Sequence, residues 1–504
     1  MYVTTPIFYA NDKPHIGHSY TVVIADIISR YYKNMNYKVY LSTGTDEHGI
    51  KVQKSALTNS HINTNDGLTI RFDVIQKYVS KMSNNFHAMM MDMHIEYDNF
   101  IRTSDVAHKN FVIQFWNKLY KNDYIYLSKY SGWYSERDES FIKESDLVNS
   151  KAPSGGEVKW VSENVHFFKL SMFQDRLLEY YNNNPNVIMP HSRLNEVKAY
   201  IQGGLRDLCV SRTGIDWGVK VPGYNQHTIY VWIDALANYL SSIKFDLNNI
   251  DSNEFWPCDI HIIGKDILIF HAVYWPALLM ALDLPLPKCI LAHGWWLRDN
   301  DKMSKSIGNT LSHTVLLDNF SSDVVRYCMI KEMNIGNDGN ISYEMFENRY
   351  SADLVNKVGN LVQRVLVFIE KKLDKQVPYC RDAFIVSDMN IYLFNQMKVY
   401  HEKMQKFDIH RALIVVIDTV VYCNIYLNNN PVWNKDNRNT DLVLYSLVIA
   451  IYYIAIMLRP FMPDTSNAIL DMLNISNFSM YNEAEQLFND KHKINKPYML
   501  FPRL

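Results

Sequence analysis

The feature that most restricts the fold is an alternation of short apolar runs with amphipathic helical stretches over residues 1–115. "YVTTPIFYA" has the β-branched and aromatic content of a strand, "SYTVVIADIISRYYKNM" has helical spacing, and "KVYLSTGTD" is strand-like again. That order with short loops predicts βαβ units and therefore a parallel sheet. Ligands of such sheets bind outside the carboxyl ends of the strands. The rule singles out "FYANDKPHIGH" after the first strand and "GTDEHG" after the second. Over 116–225 the pattern lapses into turn-rich, aromatic text with "KAPSGGEVKW" in its middle, which predicts an insertion between two halves of the sheet. It resumes with "DIHIIG" as a strand, "KDILIFHAVYWPALLMAL" as a helix and "KCILAHGWW" as a strand, followed by the polar loop "LRDNDKMSKSIGN".

From about residue 351 the strand signals fade. "SADLVNKVGNLVQRVLVFIEKKL", "HRALIVVIDTVVYCNIYL" and "TDLVLYSLVIAIYYIAIML" predict a separate all-α bundle, and "PDTSNAILDML" opens a further helix with capping residues. Leu442–Leu458 approaches the lower length limit for a membrane span. It carries Ser446 and three tyrosines, and Arg459-Pro460 ends it, so a buried helix at the centre of the bundle is expected.

Composition adds exclusions. The 504 residues allow two to four domains, and 48% hydrophobic with 21% charged residues is ordinary for a soluble globular protein. A formal net charge of -2 means that any polyanion must be met by local basic patches. The six cysteines lie far apart with no C-x-x-C pair, which argues against a zinc knuckle and against a disulfide-stapled secreted domain. Isolated thiols in a reducing compartment are expected. Met1–Tyr9 runs directly into a strand, so no presequence is expected.

His15 and His18, three residues apart, suit a metal site, a core pair or a phosphate clamp. The spacing is tolerable for metal, but no third ligand of obvious type lies nearby. For phosphate, a helix N-terminus offers unpaired N–H groups and a positive dipole end, and imidazoles donate hydrogen bonds. Gly17 would let a nucleotide approach the backbone closely. Lys302-Met303-Ser304-Lys305-Ser306 is, alone, most simply a solvated basic turn. Two lysines and two serines also form the donor set that charge on a departing pyrophosphate needs. Both motifs follow strands of the same expected sheet, which favours the phosphate reading.

"HIGH" followed by "KMSKS" resembles the motif pair of class I aminoacyl-tRNA synthetases. "TTPIFYAN", "STGTDEHG", "EVKAYIQGGLRDLCVSR", "YVWIDALANYL", "HIIGKDILIFHAVYWPA" and "DKMSKSIGN" are similar to the methionyl-tRNA synthetase family in particular, over about residues 1–475. The resemblance implies an α/β fold: a Rossmann-type parallel-sheet catalytic domain (1–115 and 226–320) with an inserted connective domain (116–225). A stem-contact linker (321–350) and an all-α anticodon-binding bundle (351–504) follow. It implies activation of methionine with ATP, then transfer to the 3′-terminal ribose of tRNA(Met), initiator tRNA included.

Site residues carry over where the motifs match. Ile7, Tyr9, Trp232, Ala235, Tyr239, Phe270 and His271 match positions enclosing the methionine side chain, and Asp46 matches the carboxylate that holds its ammonium group. An aromatic box suits a polarizable thioether, although buried aromatics are most often plain core. His15, His18, Lys302 and Lys305 are the expected catalytic set, with Gly17, Asp234 and Lys305 on ATP and Mg²⁺ arriving with it. Asn360, Arg364 and Trp433 match the residues that read the CAU anticodon, although Val432 stands where the family usually has Pro before this Trp.

Many relatives hold zinc on cysteine pairs in the insertion. Here Ser135 and Asp138 of "GWYSERDESF" stand where a C-x-x-C pair would be, so no metal ligands and no structural zinc are expected. That text looks most like α-proteobacterial or mitochondrial relatives. A cytoplasmic monomer without membrane contact is the expectation. The alternatives are a synthetase for another apolar amino acid, a small-molecule nucleotidylyltransferase, and a tRNA-binding protein without catalysis.

Overall fold

The first apolar run forms two strands rather than one. In a computed structural model, which describes residues 1–60, 68–135, 140–142, 144–153, 155–250, 253–298, 301–302, 311–434, 437–476 and 484–503, Tyr2–Thr4 (β1) and Phe8–Tyr9 (β2) are separated by Thr5-Pro6-Ile7. Pro6 has no N–H for a ladder, which breaks the run. The helical stretch after it is Ile16–Asn34 (α1). Tyr40–Asp46 (β3), Asn99–Arg102 (β4), Ile188–Met189 (β5), Ile260–Gly264 (β6) and Ile290–His293 (β7) complete a seven-stranded sheet among the described residues. Its order is β2-β3-β1-β6-β7-β5, with β4 paired to β3, and all its pairings are parallel. β1 is central, with Val3 opposite Leu41 on one side and Ile260 on the other. Its three residues are fully buried, as expected of a parallel strand covered on both faces.

β5 comes from inside the 116–225 stretch, so that stretch itself contributes to the parallel sheet. The rest of it is antiparallel. Ile125–Ser135 and Val158–Phe168 pair in unbroken register, flanked by Ser140–Ile142 and Leu208–Cys209. A three-stranded antiparallel sheet follows, with Tyr224–Ile229 in the middle between Ser211–Thr213 and Lys220–Val221.

By contacts the chain divides into two compact units. The first comprises residues 1–14, 40–91 and 96–293, and the second residues 15–39, 92–95 and 294–504. The first has a large apolar cluster that includes Trp116, Trp275 and, from the helix Val231–Ser241 (α2), Leu236, Tyr239 and Leu240. The stretch expected as one helix over "KDILIFHAVYWPALLMAL" is three pieces: a 3-10 turn Lys265–Ile267, a π-helical turn Phe270–Tyr274 and an α-helix Trp275–Ala281. Pro276 cannot donate to the carbonyl four residues back, and the chain ahead of it widens.

In the second unit a π-helical segment Tyr350–Gly359 leads into Asn360–Lys372 (α3), joined by Ile409–Asn429 (α4) and Thr440–Leu458 (α5). α5 contains the candidate membrane span, and 83% of its most apolar window is buried inside the fold. Burying each large apolar side chain contributes ~1.5–3 kcal/mol, so this helix is a main source of the unit's stability. The helix Pro463–Met472 corrects the capping expectation. Its N-cap is Met462, Pro463 occupies the first turn, and Thr465 N–H is taken by Asp323 Oδ2 at 2.6 Å. α1 is anchored by Arg326, which is fully buried: its guanidinium donates to Asp26 Oδ2 (2.5 Å) and to the carbonyls of Phe461, Met93 and Pro460.

Candidate functional site

Trp232, Ala235 and Tyr239 recur at i, i+3 and i+7 on α2 and so share one face. Trp232 lies flat on Phe270, with ring centroids 3.7 Å apart and planes 10° from parallel, and His271 meets it edge-on at 6.1 Å. Tyr239 Oη lies 2.7 Å from His271 Nε2, and His271 Nδ1 lies 2.9 Å from the Ile267 carbonyl. A carbonyl only accepts, so the ring proton is on Nδ1 and Nε2 accepts from the tyrosine. Burial pushes His271 down to about 4, which keeps it neutral. Beside Tyr239, His261 accepts at Nε2 from Trp275 Nε1–H (3.3 Å) and donates from Nδ1 to Thr4 Oγ1 (2.6 Å). Burial holds it well below the usual imidazole range as well. The wall is therefore aromatic and uncharged, which suits a thioether and penalises a charged side chain.

At the strand ends Tyr9 and Asp46 are register partners of β2 and β3, and Asp46 is only 6% exposed. Tyr9 and Trp232 pack against the same core cluster, while Ile7 is half-buried in the link between β1 and β2. The structure thus joins Trp232, Tyr239, Phe270 and His271 by direct contact, and sets Tyr9 beside Asp46.

Asp234 was expected at ATP, but its carboxylate is enclosed. It is 1% exposed, with Oδ2 2.6 Å from His48 Nδ1 and Oδ1 2.8 Å from His108 Nε2. Burial alone would raise its pKa; the charges and hydrogen bonds of the two histidines hold it well below the usual carboxylate range. The carboxylate thereby fixes the orientation of both imidazole rings. Glu47 does parallel work: Arg102 grips both its oxygens at 2.7 and 3.0 Å, Ser104 donates to it, and Trp217 Nε1 donates to its carbonyl. Sequence reasoning missed Glu47, His48 and His108. For Glu47 and His48 the available signal was three successive ionisable residues, Asp46 to His48, at one strand end in "TDEHG"; His108 carried none.

His15 and His18 lie at the start of α1, rings 3.9 Å apart. His15 Nδ1 accepts from Gly17 N–H at 3.1 Å, and His18 Nδ1 accepts from His15 N–H at 3.0 Å. Both ring protons are therefore on Nε2, making that edge the donor edge of each imidazole. The expected unpaired amides are not there. Ile16 N–H goes to the Leu311 carbonyl, Gly17 N–H to His15, and the amides of His18 and Ser19 to the His15 carbonyl. The imidazoles have taken over the capping, and this helix start presents ring N–H groups instead. Gly17 has a local reason too, since a Cβ there would lie 2.9 Å from His15 Cε1. Lys302 is placed only by its backbone, opposite Leu297 in a short antiparallel pair, and Lys305 lies outside the described residues.

In the second unit Asn360 and Arg364 are one turn apart on α3. Arg364 lies 5.0 Å over the ring of Trp433, which is 55% exposed, and its Nη2 donates to Asn428 Oδ1 at 2.9 Å. Asn360 donates to Asn424 Oδ1 at 3.2 Å. An exposed indole backed by a guanidinium, with amides alongside, is a surface on which an unpaired base can stack and be read. Asn424 and Asn428 went unnoticed in the sequence, although their spacing on α4 matches that of Asn360 and Arg364.

Among the described residues, the positions where a C-x-x-C pair would stand offer zinc no thiolate. Ser135 is fully buried at the end of its strand, Asp138 lies outside the described residues, and Cys209, in the edge strand of the same sheet, is contacted by the Arg212 guanidinium at 2.8 Å.

The family profile described as "tRNA synthetases class I (M)" matches residues 1–148 and 142–366. A methionine–tRNA ligase of Rickettsia conorii is 43% identical, over 100% of this chain and 99% of that protein. One of Rickettsia prowazekii is 42% identical, also over 100% and 99%. A crystal structure of Mycobacterium tuberculosis methionyl-tRNA synthetase bound by methionyl-adenylate superposes with a TM-score of 0.90 at 35% identity, covering 99% of each chain.

Proposed function

The chain belongs to the methionyl-tRNA synthetases of class I, and on that premise we propose that it activates methionine with ATP and charges tRNA(Met), initiator tRNA included. The observation that carries this is full-length likeness to methionine–tRNA ligases, and the uncharged box of Trp232, Phe270, His271 and Tyr239 is its chemical counterpart.

The methionine side chain enters that box, with Ile7, Tyr9 and Ala235 closing it and Asp46 holding the ammonium group. The methionine carboxylate attacks the α-phosphorus of ATP in line, giving methionyl-adenylate and pyrophosphate. His15 and His18 donate from Nε2 to the phosphate oxygens, and Lys302 and Lys305 meet the charge growing on pyrophosphate. Mg²⁺ comes with the nucleotide. Asp234 holds His48 in place through this step. A terminal ribose hydroxyl of the tRNA then attacks the carbonyl of the adenylate and AMP departs. No protein nucleophile is required, so rate comes from positioning and electrostatics. Asn360, Arg364 and Trp433 take the anticodon. The division into a catalytic domain, a zinc-free connective domain and an anticodon-binding bundle belongs to the same reading. So does a monomer working in a reducing cytoplasm away from membranes.

Methionine-dependent ATP–pyrophosphate exchange by the purified protein tests the reading. Exchange with another amino acid but not methionine would sink the substrate assignment, and none with any amino acid would sink the enzyme. Lys305→Ala lowers the rate of adenylate formation far more than it weakens methionine binding, and equal losses would remove Lys305 from the transition state.

A further inference from the structure

Two rungs of side chains link α3 to α4. Asn360 meets Asn424, and one turn on, Arg364 meets Asn428. The first rung has a defined polarity. Asn424 Nδ2 donates to the Lys357 carbonyl at 3.2 Å and to the Val420 carbonyl at 3.0 Å. Carbonyls only accept, so the Asn424 amide cannot turn over without setting oxygen against oxygen. The Lys357 carbonyl lies within the π-helical segment Tyr350–Gly359. Asn424 Oδ1 is thereby aimed at Asn360 and demands a donor from it. Asn360 supplies its NH₂, which commits its own Oδ1 to be the acceptor it offers elsewhere.

We propose that Asn424 is a positioning residue for specificity: by fixing the Asn360 amide with its oxygen toward the ligand, it selects an unpaired base with an amino group at C4 (cytosine) or C6 (adenine) over the counterpart with a keto group there (uracil or guanine). This rests on the reading that the Asn360–Arg364–Trp433 face binds the anticodon. An amino base donates to the fixed oxygen, whereas uracil or guanine presents a second oxygen there. An acceptor facing an acceptor leaves both desolvated groups unsatisfied, which is why hydrogen-bonding sites reject the wrong polarity strongly. Arg364, lying over Trp433 and tethered by Asn428, has only donors to offer, so it cannot supply the acceptor that an exocyclic amino group needs. In a CAU anticodon two bases qualify, the first and the second.

The test compares aminoacylation kcat/KM for tRNA(Met) transcripts carrying CAU, UAU (C to U) and CGU (A to G), for the wild type and for Asn424→Ala. The expected result is a wild-type penalty of about 10-fold or more at one of the two positions. In the variant that penalty shrinks by at least about 5-fold while methionine-dependent pyrophosphate exchange is unchanged. A penalty of the same size in both proteins overturns the proposal, as does a variant in which exchange falls along with all three transcripts. No wild-type penalty at either position would instead remove the anticodon-binding reading. Asn424→Ser is too short to reach Asn360 and turns its hydroxyl to the Val420 carbonyl in its own helix, so it loses the penalty as the alanine variant does. It decides the matter if the alanine variant does not fold, since a retained penalty in a folded serine variant also overturns the proposal.

Discussion

At the scale of single residues, the histidines are sorted by what each ring nitrogen faces. His271 and His261 are neutral because they are sealed among aromatic rings, with each nitrogen committed to a partner. His48 and His108 instead enclose a carboxylate held ionised. Asp234→Ala leaves two buried imidazoles without the charge they grip, and such truncations cost ~3–5 kcal/mol. Urea denaturation should show a loss of that order together with impaired pyrophosphate exchange, and a loss below about 1 kcal/mol would mean the cluster is dispensable. His48 and Asp234 are visible in "TDEHG" and "WIDAL", but their partnership is not, because 186 positions separate them.

At the scale of elements, α1 shows a motif acting on its own helix. His15 and His18 cap the helix with Nδ1 and are left with donor edges at Nε2. Gly17→Ala sets a Cβ 2.9 Å from the His15 ring and pushes it off the Gly17 amide. The cap contributes ~1 kcal/mol, but displacing the ring matters more, since a misplacement of about 1 Å can cost ~100-fold in rate. Steady-state exchange kinetics should therefore show kcat falling with little change in the methionine KM. Elements with strong periodicity, α1, α4 and α5, were legible in the sequence, whereas the π-helical turn at Phe270–Tyr274 and the break at Thr5–Ile7 were not. Those depend on a single proline overriding an otherwise continuous pattern. The start of Pro463–Met472 eluded the local reading for another reason, since its capping acceptor is Asp323, far away in sequence.

At the scale of the whole molecule, burial of neutral imidazoles sets an acid limit. In the unfolded chain they take up protons near the ordinary histidine value of about 6.5, while folded His271 resists until about 4 and burial holds His261 well below its ordinary value too. Protons therefore bind the unfolded chain first. Stability is full above about 6.5 and falls as the pH drops toward about 4, by up to ~1.4 kcal/mol per pH unit for each such histidine. Denaturation midpoints at pH 7 and pH 5 measure this, and removing His271 should flatten the dependence. A second prediction separates the two chemical steps. Trp433→Ala reduces aminoacylation of tRNA while leaving methionine-dependent pyrophosphate exchange intact, and a parallel loss of exchange would make this Trp structural.

What the sequence determined alone was local. The period of its apolar residues set which segments become helix or strand, and the residue types in "HIGH", "KMSKS" and "VWIDALANYL" set which chemistries were available. What only the tertiary structure decided was polarity: which nitrogen of His15, His18 or His271 carries the proton, which way the Asn360 amide faces, and whether Asp234 meets a ligand or two histidines. A side chain's composition is local, but its protonation and orientation are fixed by the donors and acceptors around it. Here most of those are carbonyls and rings that only folding brings within 3.5 Å.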